Sequence, residues 1–234
     1  KKAMLDEIAK LPEGSWENEM MVDGYDQPIL LKAKLVICKS QILIDFHGSS
    51  RVSPFGINVP LSYTQAYASF GVRCIVGSTI PNNAGSLDPI KVVAPEGSIL
   101  NASRPHAVAV RHVVGQMLPD VVLGCIDHAL PGTAPAEGSS SLWNPMLMGG
   151  PGLLEGIEYG ASRPFSVTIF HSGGMGARPT KDGLAATAFP SGVRNTPVEI
   201  TESIAPIIFI RKEIRPFSGG DGLYRGGDGQ IIEI

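Results

Sequence analysis

Cysteine is scarce in this 234-residue chain: Cys38, Cys74 and Cys125 are all there is. An odd number without Cys-x-x-Cys spacing, each in an apolar run (LVICKS, GVRCIVG, VLGCIDH), predicts buried, reduced thiols. That suits a reducing cytoplasm, the expected location. No run approaches the roughly 18 apolar residues of a membrane span, and no signal-peptide core is present, so no membrane association is expected. Positive charge is not in excess either. A formal net charge of −3 and an isoelectric point near 6.0 leave no electrostatic footprint for nucleic acid or an anionic membrane.

Familiar catalytic spacings are missing too. GGMGARP lacks the third glycine of a dinucleotide fingerprint, and no Gly-x4-Gly-Lys-Ser/Thr occurs, so ATP is not expected to bind these residues in either familiar manner. The five histidines, His47, His106, His112, His128 and His171, form neither an HExxH nor an i, i+4 pair. No metal site made only from this chain is expected. There is no Gly-x-Ser-x-Gly elbow, and thiols in apolar runs are poor nucleophiles.

What the chain does have is glycine and proline, 28 and 19 residues, about a fifth of the total against an average near an eighth. With 43% apolar and 18% charged residues, the composition is that of a folded protein rich in turns and close backbone approaches. The expected fold class is α+β, mixed and strand-rich, with a few helices and many Gly/Pro loops. A helix is predicted in KKAMLDEIAKLPEG, closed by Pro12 and Gly14. Ser15 to Gly24, carrying acids and methionines, leads into a strand over 29–38, which Lys39–Gln41 turn into a second strand, 42–46. HGSSRVSPFGINVP reads as loop, followed by a helix from Ser62 as N-cap to Gly77 as C-cap. TIPNNAGSLDP is a predicted loop and IKVV a short buried strand. Residues 107–130 show helical spacing interrupted by Pro119, hence a kinked helix or two helices meeting there.

Residues 131–164 are dominated by loop signals (PGTAPAEGSSS, GGPG), and a subdivision near 131–150 is the one candidate domain boundary. Strands are predicted in FSVTIF (165–170) and IAPIIFIRKEI (204–214). The repeated Gly-Gly-Asp-Gly, 219–222 and 226–229, reads as two turns flanking a strand. The chain opens inside a helix and closes on IIEI, a strand cut short; residues 1–234 are therefore expected to be a fragment of a longer protein.

Three polar loops are candidates for chemistry. Pro81-Asn82-Asn83-Ala84-Gly85 sets two neutral amides on a tight turn, either to meet a carbonyl oxygen or to serve turn geometry. Arg194-Asn195-Thr196-Pro197-Val198-Glu199 offers a guanidinium for an anion, or for a tie to Glu199 or a backbone carbonyl. Ser172–Gly183, SGGMGARPTKDG, places Arg178 and Lys181 among Gly173, Gly174 and Gly176, where a ligand can approach the backbone. Arg178 faces a ligand or ties down its own loop. Asp120, in an otherwise apolar run, is a buried acid or a capping, exposed one.

Taken in order, PNNAG, IKVVAPEGSILN, VVLGCIDHALP, GGMGARPTKDG, RNTPVE and RPFSGGDGLYRGGDG resemble the hydantoinase B / 5-oxoprolinase family, and the resemblance runs from about Leu11 to Ile234. It implies a central to C-terminal piece of a B-type subunit in a hetero-oligomer. An A-type hydantoinase partner there binds ATP, with Mg, and the pair opens a small cyclic amide: hydantoin, N-methylhydantoin, 5-oxoproline or a related lactam. Related subunits carboxylate acetone or acetophenone, and a docking scaffold for the ATP-binding subunit is a third reading. The resemblance also implies a divalent metal held by a region upstream of this segment, and no activity for the segment alone. Within it, Asn82, Asn83, Arg178, Arg194 and Asn195 are expected to line a substrate site, with Gly173, Gly174 and Gly176 giving close approach. Two positions depart from the family pattern: His171-Ser172, where another glycine is expected, and Pro119.

Overall fold

From Gly14 to Val22 (β1) every second residue turns inward, Trp16, Asn18, Met20 and Val22 against exposed Ser15, Glu17, Glu19 and Met21. That is a strand with one half-buried face, although its acids conceal the alternation. It pairs antiparallel with Ile29–Cys38 (β2), which turns back into Gln41–Asp45 (β3), the predicted hairpin, with Cys38 opposite Gln41. Ile90–Val93 (β4) then adds parallel to β3, completing a four-stranded sheet in the order β1-β2-β3-β4. The computed structural model describes residues 1–140, 142–150 and 163–234. It divides into two units, Lys1–Pro135 and Ala136–Ile234, and the fold is mixed α+β.

In the first unit one sheet face is the core: Leu31, Ala33, Leu35 and Ile37 of β2 with Ile42 and Ile44 of β3 are all buried. Cys38 falls on the opposite face, so it is exposed rather than buried; Cys74 is half-buried and Cys125 buried, all three unpaired. The N-terminal helix, Lys2–Ile8 (α1), buries Met4 and Ile8, one turn apart. Helix Leu61–Ile75 (α2) starts after Pro60, whose extended backbone caps it without a side-chain bond. Ser62 therefore lies inside the first turn and is not the N-cap. Gly77 adopts the left-handed φ of 60° just beyond the C-cap, Val76.

The predicted loop around Asn83 contains a single helical turn, Ala84–Leu87 (α3). Residues 107–130 resolve into two helices, His112–Gly115 (α4) and Leu118–Ala129 (α5). Pro119 sits in the first turn of α5, where its missing N–H costs no intrahelical bond. Asp120 in the same turn is 3% exposed, which excludes the exposed reading. α5 lies across β1 and β2 and packs against α2; Cys125 Sγ meets the Ala33 carbonyl at 3.4 Å and Asn18 Nδ2 donates to Val121 O at 3.1 Å.

The second unit has little regular structure. Met146–Gly149 (β5) pairs antiparallel with Phe165–Thr168 (β6), and Arg211–Ile214 (β7) with Gln230–Glu233 (β8). Val198–Ile204 (α6) follows Pro197, so the RNTPVE loop runs directly into a helix. The strand expected over 204–214 is confined to β7: Ile204 closes α6, and Ile208 and Ile210 are exposed. No strand separates the two Gly-Gly-Asp-Gly repeats; β8 follows the second. β5 interrupts the region read as loop, whose continuation through 151–162 lies outside the described residues. Among the described residues no helix is long and apolar enough to cross a membrane.

Candidate functional site

The glycine loop begins at a fixed point. Trp143 and His171 exchange two backbone bonds, Trp143 N–H to His171 O at 3.0 Å and His171 N–H to Trp143 O at 2.9 Å. They extend the β5–β6 ladder in its own register. Beyond His171 the loop runs between two other backbone segments. Ser139 N–H donates to Gly174 O (2.9 Å) and Ala136 N–H to Ala177 O (2.8 Å) on one side. Met175 N–H donates to Leu184 O (3.0 Å) and Gly227 N–H to Met175 O (2.8 Å) on the other.

This lacing explains the glycines. A Cβ on Gly174 would overlap the Gly227 carbonyl, one on Gly176 the Ala136 carbonyl, and one on Gly173 the Ser139 side chain. The close approach expected for a ligand is made here by the protein's own backbone. Arg178 likewise serves its own loop: Nε and Nη2 both donate to Asp182 O, at 2.8 and 2.6 Å. Asp182 Oδ1 in turn accepts the Arg225 N–H at 2.8 Å. In the second glycine repeat, Asp228 Oδ1 accepts Gly219 N–H at 2.9 Å, and such backbone donors hold its carboxyl below the usual range.

These segments border an open cavity of about 510 Å³ lined by the glycine loop, Trp143, His171, Gln230 and glycines of both repeats other than Gly222. Gly173, Gly174 and Gly176 are thus on its wall, though packed behind by backbone. Gln230 Nε2 donates to Ser172 O at 2.7 Å and to Asn195 Oδ1 at 3.1 Å, while Asn195 Nδ2 donates to Ala186 O at 2.8 Å. Asn195 therefore braces a lining residue and does not itself line the cavity. Arg194 is exposed, outside the lining, and without an ion pair or hydrogen bond to its guanidinium among the described residues.

His171 is the group that sequence reasoning passed over. It is 4% exposed, it lines the cavity, and among the described residues neither ring nitrogen has a hydrogen-bond partner. Burial, and secondly the charge of Lys212, push its pKa below the ordinary value, so the ring is held neutral. The available signal was a histidine directly after an apolar run, at a position where glycine was expected. Gln230 gave no such signal.

In the first unit Asn82 and Asn83 part company. Asn83 forms a capping box: its Oδ1 accepts Ser86 N–H at 3.1 Å and its own N–H donates to Ser86 Oγ at 3.0 Å. Its Nδ2 donates to Pro81 O at 3.2 Å. Asn82 is exposed and lines a separate cavity of about 890 Å³ beside β3, β4 and α2. Among the described residues no three His, Cys, Asp or Glu side chains converge as a metal site.

Comparison with known proteins follows the same lines. The family model described as hydantoinase B/oxoprolinase matches residues 1–234. A 5-oxoprolinase of Dictyostelium discoideum is 35% identical over 91% of this chain, and the B-type subunit of a putative D-/L-hydantoinase from Pseudomonas sp. (strain NS671) is 29% identical over all of it. The chain spans 16% and 40% of the lengths of those two relatives. Its fold is similar to the crystal structure of the ATP-dependent caprolactamase from Pseudomonas jessenii, with a TM-score of 0.83 at 21% identity, covering 99% of this chain and 40% of that one. A nucleotide-free acetone carboxylase has a TM-score of 0.80 at 18% identity, covering 98% and 32%.

Proposed function

The chain belongs to the hydantoinase B/oxoprolinase family, and on that premise we propose that it is part of the B-type subunit of an ATP-dependent cyclic amidohydrolase. The substrate class is hydantoin, N-methylhydantoin, 5-oxoproline or a related lactam. The observation that carries this reading is the match of the family model across residues 1–234. ATP, with Mg, is bound by an A-type partner, and any required divalent metal is held outside this segment. The three free thiols fit a reducing, cytoplasmic setting.

The need for ATP is chemical. An unstrained cyclic amide resists hydrolysis because its nitrogen is a poor leaving group and its carbonyl is resonance-stabilised. Transfer of the γ-phosphoryl group to the amide oxygen, with release of ADP, makes the carbon electrophilic; water adds to it, the adduct expels the protonated ring nitrogen to leave an acyl phosphate, and a second water hydrolyses that to carboxylate and phosphate. A B-type segment that binds the ring and excludes water until activation makes hydrolysis productive. In this chain Asn82 and Arg194 have side chains not engaged by their own loops, which makes them the candidates for contact with substrate or partner. Asn83, Arg178 and Asn195 position backbone and lining.

The full-length subunit, co-expressed with its A-type partner and supplied with a panel of cyclic amides, is expected to cleave ATP only when a ring substrate is present. ATP cleavage with none of them would overturn the proposal. The likeness to the acetone carboxylase fold supports a second reading, a carboxylase subunit. Its mark would be ATP cleavage requiring bicarbonate and a ketone.

A further inference from the structure

We propose that the cavity lined by His171 binds a small neutral amide, with the imidazole as its hydrogen-bonding anchor. In the reaction proposed above that ligand is the cyclic amide itself, and to that extent the inference rests on that reading. Four observations point to it. His171 is buried, is one of the residues lining the cavity, and has both ring nitrogens without a partner among the described residues. Leaving such a polar group unsatisfied costs about 1–3 kcal/mol, a cost that a folded chain has no structural reason to carry at a site a phenylalanine would fill. Its backbone position is fixed by the paired bonds to Trp143, so the ring is presented by a rigid ladder and not by a wandering loop.

The second argument is charge. A neutral imidazole offers one N–H donor and one lone pair, which complement the carbonyl and N–H of an amide. A carboxylate or phosphate would instead favour the imidazolium, which burial and the neighbouring Lys212 oppose. The charged lining residues, Glu137 and Arg215, are of opposite sign. Thirdly, its volume of about 510 Å³ is in the range of small-molecule sites and exceeds what a five- to seven-membered ring requires. Finally, Gln230 is held by Ser172 O and Asn195 in the wall beside His171, which uses both of its N–H donors and leaves its Oε1 as an acceptor for a ligand N–H.

The test is calorimetric titration of the full-length subunit with hydantoin and 2-pyrrolidinone, with acetate as the anionic control. Hydantoin or 2-pyrrolidinone should bind and acetate should not. His171→Phe, which keeps the ring and removes both nitrogens, should weaken binding at least about tenfold without lowering the melting temperature. His171→Gln, which keeps a donor and an acceptor, should stay within about threefold of the parent. If His171→Phe fails to fold, histidine-ring 13C spectra of the parent decide: one buried ring must shift on adding hydantoin and be absent from His171→Gln. Unchanged affinity in His171→Phe, tighter binding of acetate, or no ring shift would overturn the inference. Each of those could occur in a complex that still cleaves ATP with hydantoin, which leaves the proposed reaction standing. Conversely, His171-dependent binding in a complex that acts on no cyclic amide would retain the site and remove the reaction.

Discussion

Asn83 in the first unit and His171 in the second are both polar residues two positions before a glycine, and their atoms meet opposite fates. Asn83 is exposed, yet its carbonyl, its amide and its backbone N–H are each engaged by its own turn. His171 is buried, yet neither of its ring nitrogens is engaged among the described residues. Exposure in a loop is thus a weak sign of function, because local capping uses such residues up. A buried polar group with no partner is the stronger sign, because folding alone gives no reason to keep it. Arg178, bound to Asp182 O, and Arg194, exposed and unpaired among the described residues, differ only in engagement and not in burial of an unpaired group.

Substitutions put that contrast to the test, and the largest effect is expected where backbone meets backbone. Gly174→Ala should cost about 3 kcal/mol or prevent folding, since the new methyl would overlap the Gly227 carbonyl. Gly220→Ala, with open space around it, should stay within about 0.5 kcal/mol; urea unfolding of the two variants compares them. Equal effects would mean that the lacing of the glycine loop is not what these residues serve.

Next in size, Asn83→Ala should lower stability by about 1 kcal/mol, the worth of a helix cap, with no loss of affinity for a cyclic amide. Acid then offers a gentler probe. The folded pKa of His171 lies below its ordinary 6.5, so below pH 6.5 the unfolded chain binds the proton first. Stability from this residue is therefore complete above pH 6.5 and declines as pH falls toward the depressed folded value. His171→Phe should flatten that acid limb in part, leaving the share of His112, which burial shifts in the same direction. A limb unchanged in His171→Phe would contradict the burial of a neutral ring. The smallest effect is chemical reactivity. A thiol reagent should modify exposed Cys38 first and half-buried Cys74 more slowly; Cys125, pushed up to about 11 by burial, should react only on unfolding.

The two units also differ in how far their sequence could be read. The β2–β3 hairpin, α1, α2 and the break at Pro119 are legible because each has a local signature: a period, a turn or a proline. β1 was hidden by Glu17 and Glu19, which occupy its exposed face and mask an alternation that Trp16, Asn18 and Met20 complete. The turn of helix after Asn83 is too short to carry a period. In the second unit the organising bonds join residues far apart, Ser139 to Gly174 and Met175 to Gly227. No window of sequence records such pairings, so the glycines read as room for a ligand when their neighbours are other loops. The family, in contrast, was legible from the ordered motifs alone, because those strings are what the packed loops require. His171 stood in plain view as a departure from them, and its meaning depended on burial, which no motif states.

The most direct test sets the two residues side by side in the assembled enzyme. Full-length subunits carrying Asn83→Ala or His171→Phe are each co-expressed with the A-type partner, and KM for hydantoin is measured from coupled ATP cleavage alongside the melting temperature. The predicted result is a KM raised at least about tenfold by His171→Phe with melting unchanged or higher, and a KM unchanged by Asn83→Ala with melting lowered. A KM that responds to Asn83→Ala and ignores His171→Phe would contradict the account.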